Sequence, residues 1–397
     1  MQGKKKILLI IDNKLSIAPR AQTMVRALKG HYDLTVAALD KDNEGGYSFV
    51  QIEASMAKRQ NAHFSYPFLL RKTISFFWQV YNKMQVVWPS LYFEKRLWTE
   101  AYKRNFALLS AQKFDIIICH HPGNLPMAAR LATTQNATLF FNAHEYYPKE
   151  FESDAGWVKT AQPMVKYICK TYLPSVQKII TVSDGLATAY KEEYGKDSII
   201  VPCVKPYADL KPSVVNADKI RLVHQGYANA DRKIETMIKT CDYLDERFEL
   251  HLYLMPTNVD YYNDLINSIR KRKNIVLHDA MPYNKLLTEL NQYDIGLYIL
   301  EPTNFNTRHM LPNKLYEFIQ ARLMVAISPS VEMMKVVQQY AIGIVTEDHT
   351  AESMAAALNA LSVEDIRKYK NNTQSAAENE AAEAYYPLIQ DTISVKG

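Results

Sequence analysis

Two kinds of apolar pattern alternate along this chain. Short runs in which nearly every position is apolar (residues 7–11, 34–38, 116–119, 138–142 and 179–182) are separated by stretches such as 22–29, where apolar positions recur three or four residues apart. Continuous apolar runs between helical patterns predict strands buried on both faces of a parallel sheet. The second half repeats the arrangement at 221–224, 249–254, 275–278, 295–299 and 324–327. The chain therefore reads as α/β, with two Rossmann-like doubly wound parallel-sheet domains.

Between the two halves runs Val201-Pro-Cys-Val-Lys-Pro-Tyr-Ala-Asp-Leu-Lys-Pro212. Three prolines there remove backbone donors and discourage pairing. This places a hinge at 203–217, a first domain at 1–202 and a second at 218–376. The tail at 377–397 reads as a final helix around Tyr385, Tyr386 and Leu388. Ligands of open α/β sheets sit at the carboxyl ends of strands, so the expected site is a central cleft that the two domains face.

Composition narrows the class. A length of 397 residues suits two or three domains, and 48% hydrophobic with 22% charged residues is globular usage without a low-complexity tract. The opening apolar run stops at Asp12 without a small-residue cleavage site, so it reads as a first strand rather than a secretory signal. No run nears the ~18 apolar residues of a spanning helix. Cys119, Cys169, Cys203 and Cys241 lack metal-ligand or redox-pair spacing, which suits free thiols in the cytoplasm. The net charge is +5, and residues 67–104 alone hold seven basic side chains against Glu94 and Glu100.

The richest chemistry lies in His309-Met-Leu-Pro-Asn-Lys-Leu-Tyr-Glu-Phe318, a polar loop running into a helix start. Amide N–H groups and the dipole at such a start favour a diphosphate, Lys314 adds a point charge, and Glu317 can accept from ribose hydroxyls. This segment resembles the donor-binding segment of the family 4 glycosyltransferases, which have the GT-B fold. The resemblance extends over most of the chain: Thr181-Val-Ser-Asp-Gly-Leu with Tyr194-Gly and Ile199-Ile-Val-Pro, Asp115-Ile-Ile-Ile-Cys-His120-His121-Pro, Asn142-Ala-His144-Glu145, and Val223-His-Gln-Gly226 with Arg232 and Lys233 beyond.

The resemblance implies roles residue by residue. Gly226, Arg232, Asn313, Lys314, Leu315 and Glu317 would bind the donor, with Arg232 standing where the family usually has lysine. His120 would face the donor sugar, or His121 if the register shifts by one. His309 occupies the place of a glutamate near the anomeric carbon, eight positions before Glu317. The loop after the first strand lacks the paired glycines of many relatives and offers Ser16 and Arg20 instead; with His144 and Glu145 these form a candidate acceptor or phosphate loop. No cofactor is implied, and no acidic cluster suggests a metal.

Around Phe76 to Trp98, Phe77, Val80, Tyr81, Met84, Val87, Trp88 and Leu91 fall on one helical stripe, rimmed by Lys83, Lys95 and Arg96. A large apolar face with aromatic residues and a basic rim suits an anionic membrane interface, here through Phe77, Lys83, Trp88 and Arg96; the same stripe could equally be domain core. No nucleic-acid module is recognisable. The expected protein is a cytoplasmic, peripheral-membrane glycosyltransferase moving a sugar from a nucleotide-sugar to a glycan or lipid-linked acceptor in bacterial surface polysaccharide synthesis. The alternatives are a catalytically degenerate scaffold or partner subunit, and a nucleotide-sugar epimerase, for which acid/base carboxylates were not found.

Overall fold

The computed structural model describes residues 4–42, 44–54 and 88–394. The chain divides into two compact units, one of Met1–Thr181, Ala187–Ile200 and Ile389–Gly397, the other of Val182–Leu186 and Val201–Leu388. The second unit thus begins at Val201 and holds the whole proline-rich segment expected as a hinge, and it also takes the short piece Val182–Leu186.

The first unit is built on seven strands: β1 (Lys6–Ile10), β2 (Asp33–Ala38), β3 (Ser48–Gln51), β4 (Ile116–His120), β5 (Thr138–Asn142), β6 (Lys178–Thr181) and β7 (Ser198–Ile200). They lie in the order β3-β2-β1-β4-β5-β6-β7, and every pairing is parallel. The register sets Leu8 between Thr35 and Ile117. The second unit's sheet has β8 (Ile220–Ala228), β9 (Phe248–Pro256), β10 (Ile275–His278), β11 (Ile295–Tyr298), β12 (Met324–Ile327) and β13 (Gly343–Val345), in the order β10-β9-β8-β11-β12-β13, again parallel throughout. Chain order reverses at β1/β4 in one sheet and at β8/β11 in the other, the positions where loops diverge and leave a crevice.

The apolar runs explain this arrangement. Ile7 through Ile10 and Ile116 through Cys119 are fully or nearly fully buried, as strands covered on both faces must be. In the second unit Leu222, Leu250, Leu252, Ile295, Leu297, Met324 and Ala326 form one continuous core. β8 and β9 outgrow their apolar runs because they pair over nine positions, and this extension carries Gln225 and Gly226 into the ladder.

Two helical expectations need correction. Helix Pro89–Leu97 begins at its proline, and Trp88 before it has φ −134° and ψ 67°, so no continuous helix runs from 76 to 98. Proline disfavours helical geometry in the residue before it. The buried face is Tyr92, Phe93 and Leu97, while Leu91 points outward. The C-terminal segment is not one helix from 377: Ala377 lies in Val363–Asn379, and a second helix, Ala382–Ser394, follows a break at Glu380. The Glu380 carboxylate accepts from Tyr340 Oη at 2.9 Å and Tyr385 Oη at 2.5 Å, which anchors the break. Ala382–Leu388 belong to the second unit and Ile389 onward to the first.

Candidate functional site

In the second unit, the extended end of β8 and the helix Asn313–Gln320 bring the expected residues together. Lys314 and Glu317 are three apart and share a helix face. Both are nearly buried, at 7% and 6% exposed. Glu317 Oε1 lies 2.9 Å from Lys205 Nζ, and its Oε2 accepts from Gln225 Nε2 at 2.6 Å. A carboxylate so far from solvent is tolerable because both oxygens are partnered.

Lys314 Nζ sits over the Tyr298 ring, 5.5 Å from its centroid. A Cβ added to Gly226 would lie 2.6 Å from Lys314 Nζ, and Gly226 has φ +138°, so only glycine lets this backbone meet the ammonium. Burial, followed by the positive charge of Arg232, pulls the Lys314 pKa from 10.5 to about 7 against the opposing pull of Glu317. Arg232 ends the turn Ala230–Arg232 and, among the described residues, forms no salt bridge, whereas Lys233 pairs with Glu301. Beneath this cluster His224 stacks on Tyr298 with ring centroids 5.9 Å apart. His224 Nε2, Gln225 Oε1 and Tyr298 Oη are buried without partners among the described residues. Buried polar atoms in that state call for a ligand or water. A half-buried cation, a buried ammonium of depressed pKa and orphaned polar atoms make a site that gains from an anion with hydroxyl groups.

Two expected members take other parts. Leu315 is buried in the hydrophobic core and its N–H is given to Pro312 O at 3.1 Å, so it contributes packing rather than a ligand contact. Asn313 is exposed in the first turn. His309 ends the turn Phe305–Arg308, its ring 4.7 Å from that of Phe305. Its carbonyl accepts from Ser183 Oγ at 2.7 Å, and its Nδ1 lies 3.5 Å from Glu332 Oε1, too far for a good hydrogen bond. Gly185 makes room for it, since a Cβ there would fall 1.9 Å from Nδ1.

In the first unit, the loops after β1, β4 and β5 converge. Arg20, in the first turn of helix Pro19–Leu28, donates from Nε to Asn142 Oδ1 at 2.6 Å and from Nη2 to Ile180 O at 3.2 Å. That fixes the Asn142 amide, whose Nδ2 then donates to His120 Nε2 at 3.1 Å. His120 is therefore an acceptor at Nε2 with its proton on Nδ1. Burial, then the charge of Arg20, holds its pKa well below the usual imidazole range. His144 is exposed and shares a hydrogen bond with Tyr147 Oη at 3.1 Å; loss of hydration and Arg20 lower its pKa too. Ser16 Oγ donates to Asp40 Oδ2 at 2.8 Å. The Glu145 carboxyl is pushed up to about 7 by burial and by Glu150 beside it.

Residues 20–204 match the model of Glycosyltransferase Family 4. No curated protein matches the chain by sequence. Among solved structures, HepE of Anabaena, in complex with UDP, superposes with a TM-score of 0.69 at 11% identity over 98% of this chain and 99% of that one. Sucrose-phosphate synthase of Thermosynechococcus elongatus gives 0.66 at 12% over 98% of each chain. A glycosyltransferase of Rickettsia africae gives 0.61 at 13% over 99% and 100%. The chain has the GT-B fold, and its residues 20–204 are similar to the Glycosyltransferase Family 4 model.

Within this GT-B chain, sequence reasoning passed over Lys205, Gln225, Asp12, Asn142, Tyr147 and Glu150. Asp12 and Asn142 could have been found as polar residues directly at strand ends; Lys205 had no such signal. Of the membrane-contact residues, Phe77 and Lys83 lie outside the described residues. Trp88 is 61% exposed, and Arg96, also exposed, donates to Tyr92 Oη at 2.6 Å. Among the described residues no helix is long and apolar enough to cross a membrane, and no group of three or more His, Cys, Asp or Glu could hold a metal ion.

Proposed function

We propose that this GT-B protein is a glycosyltransferase that moves a sugar from a nucleoside-diphosphate donor to a hydroxyl of a glycan or lipid-linked acceptor, in bacterial surface polysaccharide synthesis and without a metal. The observation that carries this reading is the second unit's cluster: Lys314 pressed against Gly226, Arg232 close by, and Glu317 braced by Lys205 and Gln225. Positive charge placed before the reaction stabilises the departing diphosphate without reorganisation, which is the largest contribution side chains can make to such a transfer. Glu317 keeps lone pairs beyond those given to Lys205 and Gln225 and would accept from the ribose. Supporting it, HepE was crystallised with UDP-glucose, and S. aureus TarM with UDP, fondaparinux and α-GlcNAc-glycerol.

The test is a thermal-shift screen against UDP, GDP, CDP, dTDP and their sugar conjugates, since a ligand of the folded state raises Tm by mass action. A selective response from one base, lost in Lys314→Met, is expected; a flat response across the panel sinks the donor site. A degenerate scaffold is favoured by His309 in place of a carboxylate and by the absence of paired glycines after the first strand, and donor binding without turnover would select it. Surface attachment rests on Trp88 and Leu91, both 61% exposed and next to exposed Lys95 and Arg96. Serine at both positions should reduce co-sedimentation with anionic vesicles.

A further inference from the structure

Around Glu317 the second unit is rich in acceptors. The carboxylate has about four lone-pair places, and two of them face Lys205 Nζ and Gln225 Nε2. Because an ionised carboxylate only accepts, this contact also fixes the Gln225 amide: Nε2 faces Glu317, and Oε1 points elsewhere. Gln225 is 7% exposed, and its Oε1 has no hydrogen-bond partner. A buried amide oxygen in that state is satisfied only by a proton brought from outside the chain.

The acceptors are held firmly. Gln225 lies in the parallel ladder of β8 and β9, opposite Tyr253. The helix that carries Glu317 is fastened through Gln320, whose Oε1 accepts from Ala208 N at 2.9 Å and whose Nε2 donates to Ala377 O at 2.7 Å. Lys205 is tied by its own carbonyl, which accepts from Ala382 N at 2.8 Å. The anion-binding groups lie directly beside them. Gly226 follows Gln225 in the strand, and Lys314 precedes Glu317 by three residues on one helix face, which sets their Cβ atoms about 5–6 Å apart. A phosphate next to Gly226 and Lys314 therefore leaves room for one pentose ring before the Gln225 and Glu317 oxygens are reached.

We infer that Gln225 restricts the donor to ribonucleotides: its Oε1 accepts from one hydroxyl of the 2′,3′-diol while Glu317 accepts from the other. This rests on the donor-site reading above. Two hydroxyls supply two protons, and each protein acceptor takes one. A 2′-deoxy donor, dTDP-sugars included, brings one proton too few and leaves a buried acceptor unmet where the ligand itself excludes water. Sites built around a substrate hydroxyl reject the analogue lacking it far more strongly than an apolar pocket rejects a missing methylene.

Calorimetry on the full chain first compares UDP, GDP, CDP and ADP. The tightest of them is then set against its 2′-deoxy, 3′-deoxy and 2′-fluoro-2′-deoxy analogues, in wild type and in Gln225→Met, which keeps an unbranched side chain without the amide oxygen. In wild type each deoxy analogue should bind about 10–100-fold more weakly than its parent. The fluoro analogue should be as weak as the 2′-deoxy one, since fluorine brings no proton. Gln225→Met should cut the penalty for one deoxy analogue to within about threefold and leave the other in place. Gln225→Asn, a shorter amide, gives the same readout should the methionine variant fail to fold.

Deoxy analogues as tight as the parent, a fluoro analogue that matches it, or penalties unchanged in both variants overturn the inference while parent binding leaves the donor reading standing. Loss of both penalties together also overturns it, because Gln225 then serves only to prop Glu317. No binding by any of the four parent nucleotides refutes the donor reading, and the inference with it.

Discussion

Lys314 should make donor binding take up a proton. In the free protein its pKa is about 7, because burial and Arg232 outweigh Glu317. A diphosphate placed beside it adds negative charge and drives the pKa back towards its ordinary value, so above pH 7 the ligand must reprotonate the amine. Each pKa unit is worth about 1.4 kcal/mol, and affinity should fall roughly tenfold per pH unit between about 7 and the pKa in the complex. At pH 8.5 about 97% of the free protein holds neutral Lys314 by the same arithmetic. UDP-glucose is the right probe, since the terminal phosphate of UDP itself titrates near a pKa of ~6. Calorimetry at pH 8.5 in buffers of different ionisation enthalpy should return close to one proton taken up, and at pH 6 close to none. Lys314→Met should abolish the uptake and weaken binding at pH 6 by about 1.5–3 kcal/mol, the range for hydrogen bonds to charged groups. No uptake in the wild type, or equal uptake in the variant, refutes the argument.

The same shift bears on stability. The folded pKa of Lys314 lies below the unfolded one, so the unfolded chain holds more protons between pH 7 and 10.5. The penalty is full below about pH 7, with an upper bound near 5 kcal/mol, and is relieved as pH rises towards the unfolded value. Denaturant titrations of the free protein should therefore show a stability gain on moving from pH 7 to 9 that Lys314→Met lacks. Glu317→Ala would remove the carboxylate that pairs with the Lys205 ammonium, a side chain 6% exposed, and should destabilise by about 3–5 kcal/mol, while Glu317→Gln should cost less; denaturation midpoints decide. Gly226→Ala should cost about 1–3 kcal/mol from its backbone conformation and weaken UDP-glucose binding by displacing Lys314. Unchanged affinity there would show that the close backbone approach is not what places the amine.

The fold was legible because its signal is local. Runs such as Ile-Leu-Leu-Ile need two covered faces, and alternation with helical patterns leaves a parallel sheet as the solution. β3 and β13 were missed for the same reason, since edge strands of four and three residues with half-buried side chains leave no such run. Lys314 and Glu317 could be paired from spacing because they share a helix. Lys205 could not: it sits among prolines that read as a linker, and its partner lies on another element, joined only by packing. The pairing of Asp12 with His121 was hidden likewise, since they lie two positions past β1 and one past β4, and their neighbourhood depends on sheet order. Trp88-Pro89 was visible in the sequence, and the proline should have ended the helix there.

Arg20 shows how one half-buried cation can set the state of two histidines. Its guanidinium orients Asn142, Asn142 donates to His120 Nε2, and its charge depresses the pKa of both His120 and His144. A charge-assisted hydrogen bond of 2.6 Å in a part-buried setting is worth about 1.5–3 kcal/mol. Arg20→Met should therefore do three things together: lower stability by about that amount, let the Asn142 amide rotate, and raise both histidine pKa values. Once Nε2 loses a fixed donor, the neutral tautomer of His120 is no longer dictated. Nitrogen shifts of the ring should report an Nδ1–H tautomer in the wild type and a mixture in the variant. If His120 stays an Nδ1–H tautomer and neither histidine moves upward in its titration, burial alone sets both states, and Arg20 serves only to tie its helix to the ends of β5 and β6.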